Sequence, residues 1–240
     1  FRKNDILNGG EGAPLTPLFH QLIVSQKKIE LPVCILNIGG ISNITIVMNY
    51  YPFNFTSKDI GPGNCLIDSW IRSHTDKMFD DQGKISARGK VNEVILEQAL
   101  ETYENNLKKF KNVSLDTKDF DISFVRGLSL EDGAATLTSY TAKIISSNIL
   151  SFLEKFKNKK IKILICGGGR KNFNLINQIE NNSPSNLIFH KSEDYGLNGD
   201  FVESQAFGYL AIRSLLSLPI SFPKTTRCSR PSIGGEIIDF

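Results

Sequence analysis

The chain has 240 residues, with 28 Lys and Arg against 25 Asp and Glu, which leaves a formal net charge of +3. That charge is too small to indicate a nucleic-acid surface, and 40% hydrophobic with 22% charged residues excludes the disordered, collagen-like and coiled-coil classes. A chain of this length buries roughly 70–75% of its unfolded surface, so we expect one large domain or two small ones.

The cysteines indicate the redox environment of the protein, and one long uncharged window tests for a membrane span. Cys34, Cys65, Cys166 and Cys228 lie far apart without a Cys-x-x-Cys pair, which argues against a zinc site and a disulfide framework. We therefore expect a reducing, cytoplasmic environment. The uncharged window from Leu31 to Ser57 is interrupted throughout by Asn, Gly, Ser, Thr and Pro, so no membrane span is predicted.

The first elements predicted along the chain are a short helix and a hairpin. A helix is expected from Leu18 to Gln26, after a turn-prone segment rich in Gly. Two β-rich runs, 33–38 and 41–47, flank Gly39-Gly40, and paired glycines accept the positive φ angles that tight hairpin turns need. The pattern therefore predicts a hairpin with its turn at Gly39-Gly40.

Three helices are predicted next from apolar residues at helical spacing. The first follows Asp59-Ile60-Gly61-Pro62-Gly63-Asn64 and places Trp70 among the apolar residues of one face. The second runs from Val91 to Leu107, and the third from Ala135 to Phe156, with Ser129 as the side-chain cap before it. These helices are candidates for a layer that packs on a sheet.

The last third of the chain alternates strands and helices. A buried strand over 161–166 precedes Gly167-Gly168-Gly169, and a helix then runs from Asn172 to Glu180. A short strand over 187–189 and a helix from Phe201 to Leu216 complete a β-α-β-α run. This alternation favours an α/β fold in which helices pack on a sheet.

Glycine-rich turns mark candidate ligand sites, because a phosphate or a sugar can approach main-chain amides where no Cβ intervenes. For Gly39-Gly40 a hairpin turn alone is the favoured interpretation, with phosphate contact as the alternative. Gly167-Gly168-Gly169 exceeds what one turn requires, and open α/β sheets bind ligands at the carboxyl ends of strands. Because neither run matches a P-loop or a dinucleotide fingerprint, those two nucleotide-binding modes are excluded.

Asp59 and Glu203 are the candidate functional carboxylates. Asp59 precedes Gly61-Pro62-Gly63 at an expected helix entrance, where a carboxylate can face a substrate hydroxyl or water; a helix-capping Asp is the alternative. Glu203 lies in the first turns of the last predicted helix, and a solvated surface Glu is its alternative. The 3 histidines are scattered singly, so neither a metal cluster nor a Ser-His-Asp triad is predicted.

Several of these stretches together resemble the anhydro-N-acetylmuramic acid kinases, which belong to the actin, sugar-kinase and Hsp70 ATPase superfamily. They occur in the family's order and span nearly the entire chain. The Asp-x-Gly-Pro-Gly-Asn element and the Asn-Ile-Gly-Gly-Ile-Ser-Asn hairpin are the specific ones. The matching stretches are residues 9–15 with 19–20, residues 36–45, residues 59–64, residues 166–169 with Asn172, and residues 200–206.

The resemblance implies an α/β chain with the actin-like ATPase (ribonuclease H-like) fold, a mixed sheet with flanking helices. It also implies that residues 1–30 are a remnant of the N-terminal lobe and that residues 31–240 form the C-terminal lobe. The family's Gly-Thr-Ser-x-Asp-Gly-x-Asp phosphate loop has no match in this chain, which opens at Phe1. We therefore expect an N-terminally incomplete chain that turns over poorly by itself.

The implied activity is that of an ATP-dependent kinase. It opens 1,6-anhydro-N-acetylmuramic acid with water and phosphorylates O6, giving N-acetylmuramic acid 6-phosphate in peptidoglycan recycling. The family's general base falls on Asp59, and a family carboxylate near the sugar falls on Glu203. Mg²⁺ is expected to be held mainly through the phosphates of ATP and waters. The implied nucleotide contacts are Gly39, Gly40, Asn43, Gly61, Gly63, Asn64, Gly167, Gly168, Gly169 and Asn172.

Two alternatives stay open at this point. One is a non-catalytic actin-like nucleotide-binding or assembly module, and the other is a kinase for a different amino sugar. The resemblance also implies a homodimer, with no nucleic-acid or membrane partner. Two positions depart from the family pattern and bear on local sugar or tail contacts: Glu11 stands where the family has Gln, and Arg227 stands where it has Gly.

Overall fold

The structure, a computed structural model, describes residues 1–51, 54–107 and 115–236. Within them one mixed sheet is formed by β1 (Val33–Ile38), β2 (Ile41–Asn49), β3 (Asn54–Pro62), β4 (Ile161–Cys166) and β5 (Leu187–Lys191). The strand order is β3-β2-β1-β4-β5. β2 runs antiparallel to β1 and β3, whereas β4 runs parallel to β1, and β5 runs parallel to β4.

This order, with β2 as the reversed strand, is the topology of the ribonuclease H-like fold that actin-like ATPases share. The predicted α/β class, a mixed sheet with flanking helices, is therefore confirmed. The predicted hairpin is also confirmed, since β1 and β2 pair from Val33 with Val47 to Ile38 with Ser42 around the Gly39-Gly40 turn.

The helices surround this sheet, and each of the predicted ones is present within a few residues of its expected bounds. At the start of the 23-residue helix, the Ser129 Oγ accepts a hydrogen bond from the Asp132 N–H at 3.1 Å, as predicted for a cap. No helix among the described residues combines the length and the apolar character needed to cross a bilayer. The helices are α1 (Arg2–Leu7), α2 (Pro17–Gln26), α3 (Cys65–His74), α4 (Glu93–Leu107), α5 (Leu130–Phe152), α6 (Phe173–Asn181), α7 (Val202–Leu215) and α8 (Pro223–Thr226).

The sequence analysis missed β3, and this omission misplaced Asp59. Lys58, Asp59, Gly61 and Pro62 are all depleted in strands, but β3 lies at the edge of the sheet and Pro62 is its last residue, where a missing N–H interrupts the ladder least. Asp59 lies within this strand, so its predicted place at a helix entrance is wrong. The capping alternative is also wrong, because α3 begins after Asn64.

Each face of the sheet packs against a different pair of helices. One face packs on α5 and α6 through an apolar cluster that includes Leu36, Ile44 and Ile163. The other face packs on α2 and α7 through a cluster that includes Val47 and Phe55. α2 falls within the predicted N-terminal remnant, and α7 within the predicted C-terminal lobe; the boundary at residue 30 stays a prediction. The candidate site lies on the α2 and α7 side.

The contact between α3 and α5 gives a test of the fold. Gly133→Ala is expected to destabilise the protein by about 1–3 kcal/mol, because the new Cβ would collide with the buried Trp70 ring, whose Nε1–H donates to the Leu130 carbonyl oxygen at 2.9 Å. The matched control is Gly208→Ala in α7, which has no heavy atom within 4 Å of the new Cβ. The control is expected to stabilise the protein by about 0.8–1 kcal/mol, since Ala favours the helix over Gly.

Urea denaturation measures both changes as free energies of unfolding. If both variants are equally stabilised, the packing of Trp70 against α5 is wrong.

Candidate active site

A row of polar residues crosses four strands at one end of the sheet. Asp59 on β3 pairs with Asn43 on β2, Asn43 pairs with Asn37 on β1, and Asn37 pairs with Cys166 on β4. Directly paired residues point to the same face of a sheet, here the face that packs on α2 and α7. This polar row borders the apolar cluster of that face, to which Cys166 itself belongs. The paired and buried Thr45 and Ser57, two residues away on β2 and β3, extend the polar groups of this face into the interior.

A β-bulge lies directly beside Asp59. Ser42 pairs with Gly61 and the next residue, Asn43, pairs with Asp59, so Ile60 is the extra residue of β3. Ile60 is 1% exposed and packs in the core of the opposite face. Since a bulge redirects the side chains around it, Asp59 keeps its place in the polar row while the strand bends.

The polar row opens into a cleft of about 520 Å³. Asp59 and Glu203, which were predicted from distant parts of the chain, both line this cleft. Gly39, Gly40 and Asn43 line it as well. The structure thus brings the two candidate carboxylates together with part of the predicted nucleotide-contacting set.

The environment of Asp59 suits a group that exchanges a proton near neutral pH. Burial raises the pKa of Asp59 to about 6, against the opposing effect of the Leu115 N–H, which donates to Asp59 Oδ2 at 3.1 Å. The Glu11 carboxylate also raises this pKa, and the Arg2 guanidinium lowers it. A carboxyl with such a pKa is ionised at neutral pH and is a stronger base than an ordinary Asp.

Glu203 approaches the cleft from a separate element. It lies in the first turn of α7, as predicted. The preceding residue, Val202, is buried and anchors this turn. Glu203 is exposed and lines the cleft. The first turn of a helix is also where the macrodipole stabilises a carboxylate.

Four of the glycines predicted to contact the nucleotide are required by internal packing. A Cβ on Gly61 would come within 2.5 Å of Ile144 Cγ2, and a Cβ on Gly167 within 2.6 Å of the Ile38 carbonyl oxygen. Contact of this set with a ligand stays a prediction, because packing already accounts for the absence of a side chain. The four are Gly61, Gly63, Gly167 and Gly169.

Gly39, Gly40 and Gly168 differ from that set. A Cβ on any of these three would have its nearest neighbour at 3.4 Å or more, which is ordinary van der Waals contact. Gly39 and Gly40 line the cleft, and their carbonyl oxygens accept hydrogen bonds from the N–H groups of Asn64 and Gly63 at 2.7 and 2.8 Å. The hairpin turn is therefore fixed to the start of α3 while its surface stays open to a ligand.

The three predicted asparagines have different surroundings. Asn172 caps α6, because its Oδ1 accepts a hydrogen bond from the Leu175 N–H at 3.0 Å. Asn64 Nδ2 donates to the Ile38 carbonyl oxygen at 3.4 Å. Asn43 Oδ1 is buried and has no hydrogen-bond partner among the described residues. A buried acceptor without a donor costs about 1–3 kcal/mol, so Asn43 is the asparagine whose environment calls for a further group.

The two residues that depart from the family pattern contact each other. Arg227 Nη1 lies 2.9 Å from Glu11 Oε1, and Arg227 adopts a left-handed backbone conformation with φ of 60°. The family pattern has Gly at this position, and Gly adopts this conformation without strain. Glu11 lies next to the cleft, since the following residue, Gly12, lines it.

Most residues that line the cleft were not predicted as site residues, and Asn37 and Arg2 are two polar examples. Asn37 follows Val33 and Ile35 on one face of β1, so strand alternation could have identified it as the polar end of an apolar row. Arg2 belongs to α1, and this short helix carries no amphipathic pattern that would have indicated its position.

Comparisons with known proteins identify the family of the chain. A sequence model of the family described as "Anhydro-N-acetylmuramic acid kinase" matches residues 1–239. Curated relatives with the same name are 52% identical in Pelagibacter ubique, 38% identical in Zymomonas mobilis and 35% identical in Phenylobacterium zucineum, each over 99% of this chain. The chain spans 63% of the length of the first relative and 62% of the other two. Because the family match extends over nearly every residue, the chain belongs to the anhydro-N-acetylmuramic acid kinase family.

Proposed function

We propose that this chain supplies the catalytic base and a sugar-binding carboxylate of an ATP-dependent kinase. The reaction opens 1,6-anhydro-N-acetylmuramic acid with water and phosphorylates O6, giving N-acetylmuramic acid 6-phosphate for peptidoglycan recycling. The observation that carries the proposal is the placement of Asp59, with its raised pKa, and Glu203 in one cleft of a chain from this kinase family. A cytoplasmic location and a homodimer remain predictions.

Asp59 is the proposed general base. The Leu115 N–H holds Asp59 Oδ2, which leaves Oδ1 to accept a proton from a water molecule. The water oxygen bonds to the anomeric carbon as the bond from that carbon to O6 breaks, and O6 takes the γ-phosphoryl group of ATP. ADP leaves, and the proton of the water stays on Asp59 until solvent removes it.

Two parts of the cleft, and residues outside its lining, position the substrates in this proposal. Glu203 accepts hydrogen bonds from polar groups of the sugar. Gly39 and Gly40 let the phosphates approach the main chain, and Asn43 Oδ1 accepts a hydrogen bond from a donor group of a bound ligand. The adenosine contacts are assigned to Gly168 and its neighbours Gly167, Gly169 and Asn172, and Gly61, Gly63 and Asn64 support the phosphate side.

In this proposal ATP binds at the hairpin turn, because neither glycine of the turn presents a Cβ that would keep the phosphates from the main chain. Mg²⁺, when bound, offsets the negative charge of the triphosphate. In the described ranges, no group of three or more His, Cys, Asp and Glu side chains is arranged to hold a metal ion. We therefore assign the cation to the phosphates and waters, as is usual for Mg²⁺ in kinases.

The direct test is the mass of the product formed from the anhydro sugar, ATP and Mg²⁺ in ¹⁸O-labelled water. It uses this chain and a fusion in which the N-terminal part of the Pelagibacter ubique relative precedes it. A phosphorylated sugar that carries the label supports the proposal. ATP hydrolysis at a rate that does not depend on the sugar indicates the assembly module, and ATP binding without any product indicates the non-catalytic nucleotide-binding module. Turnover of another amino sugar alone indicates the other kinase.

Asp59→Asn is expected to lower kcat by about 10²–10⁴-fold, because the amide cannot accept the proton of the attacking water. Nucleotide affinity, measured by calorimetry, is expected to stay within about twofold, since Asn Oδ1 can still accept from Leu115. The matched control is Asp68→Asn, since burial raises the Asp68 pKa to about 6 as well, but outside the cleft. Turnover by the Asp59 variant at the level of the control would exclude Asp59 as the base.

The raised pKa of Asp59 also predicts how stability depends on pH. In the folded protein the Asp59 carboxyl has a pKa of about 6, whereas an unfolded Asp has a pKa of about 3.9. Ionisation of Asp59 therefore destabilises the folded protein as pH rises from about 4 to about 6. Asp59→Asn removes this effect, so its stability gain over the wild type is expected to grow across that window and to level off above it.

Urea denaturation of both proteins at pH 4, 5, 6 and 8 measures this difference. A stability gap that shrinks as the pH rises would contradict the raised pKa.

A further inference from the structure

A buried guanidinium lies beside the triple-glycine turn. Arg170 follows Gly169 directly, and its side chain is 5% exposed. A charged group at this depth is stable only when it is paired and when its donors find acceptors. Arg170 meets this requirement through contacts with three separate segments of the chain.

The first segment is the turn itself, because Arg170 Nη1 donates to the Gly167 carbonyl oxygen at 2.9 Å. The second follows β5, where Glu193 Oε1 accepts from Arg170 Nε at 2.8 Å and lies 2.7 Å from Nη2. The third precedes α7, where Asp200 Oδ1 accepts from Arg170 Nη1 at 2.9 Å. Asp200 lies two residues before α7, which carries Glu203 in its first turn.

The backbone before α7 is pressed against the same guanidinium. A Cβ on Gly199 would collide with Arg170, and the Gly199 N–H donates to Glu193 Oε1 at 3.4 Å. Asp200 has a second partner, Lys171 Nζ, at 2.7 Å from its other carboxylate oxygen. The start of α7 is therefore held from one side by a buried cation and from the other by an exposed one.

We propose that Arg170 is a positioning residue that fixes Glu203, at the start of α7, relative to the triple-glycine turn. The inference rests on the proposed function, in which Glu203 contacts the sugar and the turn contacts adenosine. Arg170 touches neither substrate in this role. It keeps the two substrate-binding parts of the site at one spacing, so loosening either part is expected to weaken the binding of the substrate which that part contacts.

The chemistry of arginine suits this role. The planar guanidinium presents donors in several fixed directions, so one side chain bonds a carbonyl oxygen and two carboxylates at once. Lysine would bring the same charge as a single point on a flexible stem, and it could not reach all three acceptors. Arg170→Lys therefore separates the geometry of the contacts from the charge.

The test uses the fusion protein described above, with KM for sugar and for ATP measured separately. Asp200→Asn loosens only the contact with α7, so we expect the sugar KM to rise at least about fivefold while the ATP KM stays within about twofold. Arg170→Lys is expected to raise both KM values, since it also loosens the triple-glycine turn. Lys171→Gln is the matched control, because Arg170 still holds Asp200, and both KM values are expected to stay within about twofold.

The outcomes separate the possible failures. If the unmodified fusion shows no sugar-dependent turnover, the proposed function is wrong and this inference goes with it. If the fusion is active but Asp200→Asn leaves the sugar KM unchanged, only the positioning role is wrong. A merely structural role predicts a lower melting temperature with both KM values intact. Should Arg170→Lys fail to fold, the partly exposed Asp200 still allows the decisive comparison with Lys171→Gln.

Discussion

The strand register is the constraint on which the candidate site depends. Asp59, Asn43, Asn37 and Cys166 meet in one row only because each strand pairs with its neighbour at one offset. A slip by a single residue would turn every side chain of a strand to the opposite face. The apolar clusters on both faces oppose such a slip, because it would move buried aliphatic side chains into polar surroundings. The core thus sets the geometry of the polar groups at its end.

The cleft concentrates features that cost stability. Among the described residues, Asp59 is largely removed from water with no opposite charge bound directly to it, and Asn43 Oδ1 has no donor. Such groups mark a place where a ligand can supply the missing interactions. Among the described residues, buried polar atoms of Gln21, Thr138 and Thr141 also lack a hydrogen-bond partner, so the feature of the cleft is the combination of the Asn43 acceptor with the raised pKa of Asp59. The aliphatic layers on either side of the sheet offset these costs.

The sequence analysis predicted the strands and helices that a local residue pattern determines. It missed the features that depend on residues distant in the sequence but close in space. The hairpin, β4 and the long helices have strong apolar periodicity, and their predictions hold. The sequence analysis missed β3 because an edge strand tolerates Gly, Pro and charged residues, which are depleted in strands generally. The glycines show the same limit: Gly61 and Gly39 look alike in sequence, yet Ile144 crowds one and the cleft borders the other. The convergence of Asp59 and Glu203 followed from the family resemblance, because no spacing rule connects such distant residues.

The burial of Arg170 has a consequence for the response of the protein to ionic strength. Dissolved ions screen exposed pairs such as Lys84 with Asp81 and Lys157 with Glu154, and these pairs weaken as salt is added. The Arg170 guanidinium is buried, whereas its partners Glu193 and Asp200 are partly exposed, so added salt weakens the Arg170 pairs less than it weakens the surface pairs. The guanidinium also keeps its proton at any pH at which the protein folds. The bond from Arg170 to the Gly167 carbonyl oxygen involves no carboxylate, so the hold on the triple-glycine turn is less sensitive to salt than the hold on the start of α7.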